Sequence, residues 1–126
     1  MNITTAGELV EVIEQEATFV VVEINYAQKF NAYNLYIKYT KDTEAGIVFS
    51  FQGNDSKFTG FYWLCERDAE RKVHIREDTV EIEGNIIIPV VFPAPVDVLR
   101  VRIETIGLVS ANPTLNIEAN WETPYG

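Results

Sequence analysis

Stiff, β-branched side chains dominate this chain. Val, Ile and Thr make up 37 of its 126 residues, against six leucines. Branching at Cβ restricts χ1, which suits a pleated strand and works against a packed helix. A helical core of this size would be rich in Leu instead. The apolar residues also alternate with polar ones. In Leu35-Tyr36-Ile37-Lys38-Tyr39, the residues Leu35, Ile37 and Tyr39 share one face. In Leu99-Arg100-Val101-Arg102-Ile103 the apolar set faces one way and both arginines the other. Leu115 to Trp121 repeats the pattern, and each case has the period of a strand with one buried face.

Strands are predicted over 8–14, 17–25, 33–41, 46–52, 60–66, 72–76, 79–83, 85–91, 97–106 and 114–122. Residues 8–16 also fit a short helix, with Leu9, Val12 and Ile13 on one face and Thr5 as a cap; strand is preferred. Gly53-Asn54-Asp55-Ser56, Gly84-Asn85 and Asn112-Pro113 carry turn chemistry. Proline cannot donate to a ladder, so Pro89 predicts an edge strand or a bulge. Phe92-Pro93-Ala94-Pro95 reads as an extended link outside the sheet. About eight to ten short strands with turns between them predict an all-β, antiparallel β-sandwich of jelly-roll or immunoglobulin-like type. No long linker divides the chain, so residues 1–126 read as one domain, with short arms at 1–7 and 122–126.

The charge limits the partners. Lys and Arg number 10 and Asp and Glu 19, for a net charge of −9. Nucleic-acid binding draws on basic residues that neutralise phosphates, and this chain has no such stripe. An anionic lipid surface is disfavoured for the same reason. No apolar run approaches the ~20 residues of a membrane-spanning helix. Met1 to Glu8 lacks the basic-then-apolar order of a secretory signal. Cys65 is the single cysteine, so an intrachain disulfide and a polythiolate metal site are both excluded.

Catalytic patterns are sparse. The one histidine, His74, lies in Val73-His74-Ile75, where Val73 and Ile75 read as inward and His74 as outward. Ser50, Ser56 and Ser110 stand in no Gly-x-Ser-x-Gly elbow. Phe61, Trp63 and Cys65 alternate onto one face, which predicts Cys65 as a small buried hydrophobe rather than a nucleophile paired with His74. Asp42, Thr43 and Glu44, and then Asn54 and Asp55, are oxygen-rich turns without the spacing of a calcium loop. No catalytic residue, metal site or cofactor is assigned.

Aromatic residues are the most suggestive group. Phe30, Tyr33, Tyr36 and Tyr39 form one set, and Phe58, Phe61, Tyr62 and Trp63 another. Tyr36 and Tyr62 read as outward, because each alternates with an apolar set. Together with Trp63, and with Tyr125 in the C-terminal tail, they are the candidate binding residues.

Three segments have a familiar rhythm. They are Gly46-Ile47-Val48-Phe49-Ser50-Phe51-Gln52-Gly53-Asn54-Asp55, Asp97-Val98-Leu99-Arg100-Val101-Arg102-Ile103 and Thr114-Leu115-Asn116-Ile117-Glu118-Ala119-Asn120-Trp121. With an aromatic-rich strand between the first two, they resemble small β-sandwich virion proteins of tailed bacteriophages. The resemblance covers residues 33–122. It implies a capsid-decoration, head–tail or tail-associated role in a virion assembled in the host cytoplasm, with no catalysis. No functional residue transfers with it.

The expectation is therefore a non-enzymatic structural protein that binds other protein subunits, as a homo-oligomer or on a lattice. No nucleic acid, membrane or cofactor takes part in that reading. The alternative is a carbohydrate-binding module that stacks sugars on Tyr36, Tyr62 or Trp63.

Overall fold

The computed structural model describes residues 2–6, 10–40, 46–106 and 114–118. These residues form ten strands and one 3-10 turn. The strands are β1 (Asn2–Ala6), β2 (Val10–Gln15), β3 (Phe19–Thr40), β4 (Gly46–Asp55), β5 (Gly60–Trp63), β6 (Cys65–Arg67), β7 (Val73–Ile75), β8 (Asp78–Val80), β9 (Gly84–Ile106) and β10 (Thr114–Glu118). The turn, Ser56–Phe58, is capped by the Asp55 carboxylate, which accepts from the Lys57 N–H. The fold is all-β, and antiparallel pairing prevails; β1 and β10 run parallel. Of residues 8–16, Val10–Gln15 form strand β2 rather than a helix, and residues 8 and 9 lie outside the described residues. Part of the anticipated N-terminal arm, Asn2–Ala6, is itself a strand paired with β10.

Two long strands organise the molecule. The segments predicted at 17–25 and 33–41 fall, over 19–25 and 33–40, at the two ends of β3, a strand of 22 residues; residue 41 lies outside the described residues. Those at 85–91 and 97–106 belong likewise to β9, a strand of 23 residues. The two pair antiparallel from Phe19↔Glu104 to Tyr39↔Gly84. One end of this ribbon carries β2 on β3 and β4 on β9, with β5 and β8 on β4. The other end carries β10 on β3, and β1 beyond it. Inward residues of both ends pool into one core, the interior of the sandwich.

The ribbon is interrupted at its middle. Register shifts fall between Asn25 and Phe30 and between Phe30 and Ala32. Residues 92–95 stand opposite that second gap, so the expected Phe92–Pro95 link is a bulge within β9 and not a segment outside the sheet. The proline reading explains why no ladder partner is found there. Facing changes across this corner. Buried positions in β3 are Val20, Val22, Ile24 and Tyr26 before it, and Tyr33, Leu35, Ile37 and Tyr39 after it. In β9 they are Ile88, Val90, Phe92 and Val96, then Leu99, Val101 and Ile103. Each strand moves from even to odd positions, the signature of a one-residue slip in a two-residue repeat.

The corner is tied by polar and aromatic contacts. The Tyr33 hydroxyl accepts from the Phe30 N–H at 3.2 Å and donates to the Val96 carbonyl, so one side chain bridges both strands. The Asn54 amide oxygen accepts from the Asp97 and Val98 N–H groups at 3.2 and 3.1 Å, and its NH2 donates to the Asp97 carboxylate. Gly53 lies beneath them. A Cβ there would stand 2.8 Å from Val96 Cγ1 and 3.0 Å from the Phe92 ring, so only glycine lets β4 approach this closely. Tyr33 stacks on Tyr26 at 4.5 Å and meets Phe92 edge-on at 6.1 Å. Burial pushes the Tyr33 hydroxyl up to about 12. Asp97 and Tyr62 act in the same direction, and the Phe30 N–H acts against it.

Candidate functional site

The β5–β7 region departs most from the sequence expectation. Alternation along 61–65 is present, but its polarity is reversed. Tyr62 and Leu64 turn toward the core, while Phe61, Trp63 and Cys65 turn away from it. Tyr62, expected outward, is partly buried and meets Phe92 edge-on at 6.1 Å. Its hydroxyl oxygen is buried and makes no hydrogen bond among the described residues. Burial, and then the Asp55 carboxylate, raise its pKa. Cys65, expected buried, is exposed. A period-2 pattern defines two faces without saying which one is inside. Here Leu64 decides, because its N–H donates to the Phe51 carbonyl at 2.9 Å and its side chain closes the core.

Beyond Leu64 the chain leaves the sandwich as a two-stranded hairpin of β6 and β7. Val73 and Ile75, expected inward, are 59% and 38% exposed. Among the described residues no second layer covers either face of this hairpin, and all its strand positions are exposed. Its tip is held by the Asp68 carboxylate, which accepts from the Glu70 and Lys72 N–H groups, with Arg71 at a positive φ of 64°. Its base is held by Arg76. That guanidinium pairs with Asp78 at 2.8 Å, donates to the Pro89 carbonyl at 2.8 Å and lies over the Phe51 ring.

The hairpin register sorts the side chains. Cys65 opposes Ile75 and Arg67 opposes Val73, so these four share one face; Glu66 and His74 share the other. Cys65 and His74 therefore point to opposite faces, and a nucleophile–base pair across this hairpin is ruled out by geometry. No cluster of three or more potential metal ligands occurs among the described residues. The turn at Asp42–Glu44 lies outside them. Asn54 and Asp55 are occupied with the corner and the turn cap.

The apolar side of the hairpin continues onto β9. Trp63, Cys65, Val91 and Pro93 line one shallow groove, with Tyr62, Leu64 and Phe92 at its floor. Trp63 is 38% and Val91 59% exposed. Ile87 and Pro89 extend the exposed stripe along β9. Over Gly84–Val91 this strand pairs, among the described residues, with β3 alone, which is the edge position Pro89 predicted. The edge is guarded against strand addition. Pro89 offers no N–H, and Arg76 occupies its carbonyl. What remains exposed is side-chain surface.

Elsewhere, two outward aromatics carry guanidinium lids, while Phe58, in the turn after β4, is 64% exposed and tilts against Tyr62 at 6.0 Å. Arg100 lies 3.7 Å over the Phe61 ring and pairs with Glu23 at 2.9 Å. Arg102 lies 4.1 Å over the Phe19 ring. Such guanidinium lids leave little apolar surface to a partner. Tyr36 is partly buried on the outer side of β3, beside Lys38, Ile86 and Ile87. It is opposite Ile87 across the ladder. Of the expected binding residues, Trp63 lies in the hairpin groove and Tyr36 in this separate one. Tyr62 faces the core, so it forms no ring platform with its strand neighbour Trp63. Tyr125 lies outside the described residues. Sequence reasoning places Val73 and Ile75 inward and singles out neither them nor Val91 as binding residues; for the first two the signal available is the dense charge from Glu66 to Lys72 beside them. No helix among the described residues is long and apolar enough to cross a membrane.

Comparison with known proteins adds no assignment: no protein-family model matches the chain, and no curated protein matches it in sequence at a significant level.

Proposed function

We propose that this chain is a non-enzymatic structural protein that docks on other protein subunits through the apolar face of its hairpin. A virion assembly component, in capsid decoration or at the head–tail or tail, is the specific form of that reading, on the strength of the strand rhythm described above. The observation that carries the docking role is the exposed groove of Trp63, Cys65, Val91 and Pro93, with exposed Val73 and Ile75 on the hairpin face that Cys65 shares, whereas Phe19 and Phe61 carry arginine lids. Exposed apolar patches rimmed by charge mark association surfaces. Light scattering on a sizing column, over a hundredfold range of concentration, tests it. The expected result is a defined oligomer that Val91→Asp disperses. An oligomer indifferent to Val91→Asp, or a strict monomer throughout, contradicts the role of this face.

A further inference from the structure

The occupant of the hairpin face can be sought on the same molecule. Among the described residues of the two hairpin strands, the charged side chain on that face is Arg67, opposite Val73, while Glu66 lies on the reverse side with His74. At the tip Asp68 is engaged by backbone N–H groups, and Glu70 pairs with Lys72 at 3.0 Å. An apolar strip beside a guanidinium fits an apolar side chain flanked by carboxylates. The edge strand β2 presents such a group. Its register slips between Val12 and Glu14, so Ile13 is the extra residue of a bulge with no partner opposite. Ile13 is 42% exposed, and Glu11, Glu14 and Glu16 around it are exposed as well. The bulge thus does two things: it blunts the β2 edge against strand addition, and it aims an isoleucine outward among three carboxylates.

We infer that β2 of one copy docks on the hairpin face of the next, with Ile13 against Trp63, Val73 and Ile75 and with Glu11, Glu14 and Glu16 facing Arg67. This rests on the docking role proposed above and names the partner as a second copy of this chain. Because β2 and the hairpin are different surfaces, the contact is head-to-tail. It builds a ring where the rotation closes and a filament where it does not. The net charge of −9 makes copies repel at long range, so the complementary contact also sets their relative orientation.

Two variants test this, alone and mixed. Val73→Asp places a carboxylate on the hairpin face, and Ile13→Asp places one where the apolar contact would bury it. Both sites are exposed, and an unchanged melting temperature verifies folding. Each variant alone is expected to stay at the monomer mass of 14.3 kDa where the unmodified chain assembles. Mixed in equal amounts, they retain one good hairpin face and one good β2 edge, so the mass is expected to double and go no further. Assembly abolished by Val73→Asp but kept by Ile13→Asp overturns the β2 pairing and leaves the docking face standing. A mixture that stays monomeric also overturns the pairing. An unmodified chain that is monomeric, or an assembly indifferent to both variants, overturns the pairing and the docking face together.

Discussion

The β3–β9 ribbon, with its corner, and the β6–β7 hairpin are built from similar residues and end in opposite states. Leu35-Tyr36-Ile37 and Val73-His74-Ile75 share one alternating pattern. Leu35 and Ile37 are each 2% exposed, whereas Val73 is 59% exposed. The difference lies in what faces each strand. At the corner a second layer, two bridging side chains and a close glycine contact surround the irregular backbone. The hairpin has no second layer among the described residues, and Arg76 and the Leu64 backbone hold its base. Burial is thus a property of the packing partner, and alternation supplies only the opportunity for it. The corner can serve as scaffold and the hairpin as contact surface because their local stabilities differ in this way.

The largest effect that would sharpen this contrast is at Phe92, which is 1% exposed and touches both Tyr33 and Tyr62. Phe92→Ala is expected to cost about 3–5 kcal/mol in denaturant unfolding, through lost transfer energy and an unfilled cavity. A loss below 1 kcal/mol would show that the corner is not tightly packed. Next comes Tyr33→Phe, which strands the Phe30 N–H and the Val96 carbonyl and is expected to cost about 1–3 kcal/mol. It also has a pH signature. The folded hydroxyl titrates near 12 and the unfolded one near its ordinary 10.0. The folded state therefore holds this proton more tightly. Its stabilising contribution is complete below pH 10 and is lost as pH rises through 12. Unfolding free energy measured from pH 9 to pH 12 should fall less steeply in Tyr33→Phe; parallel curves would refute the assignment. The smallest effect is at Val73. Val73→Asp should change monomer stability by no more than about 0.5 kcal/mol, because no layer covers it. A large loss would mean that the hairpin face is core after all.

The sequence carries the strand content plainly, because β-branched residues and alternation act locally. It also shows the inward set Leu99, Val101 and Ile103 and the edge position of Pro89. The continuity of β3 and β9 is hidden, since Pro93 and Pro95 punctuate the chain just as a true break would. The bulge keeps the strand intact through contacts from Asn54 and Tyr33, residues distant in sequence from the part of β9 they hold. The polarity of Phe61 to Cys65 is hidden for a related reason. Both faces of that segment are apolar enough to be core, and the Leu64–Phe51 hydrogen bond that selects between them is a tertiary contact. The candidate surface was half legible: Trp63 stood out as an aromatic, while Val73, Ile75 and Val91 look like any strand interior.

Amide hydrogen exchange, followed residue by residue at dilute and at high protein concentration, separates a rigid ribbon from a hairpin that orders on contact. Leu35, Val90 and Leu99 are expected to exchange slowly at both concentrations. Glu66 and His74 are expected to exchange rapidly when dilute and to gain protection as subunits associate. Hairpin amides as protected as the corner when dilute, or unprotected at every concentration, would contradict that contrast.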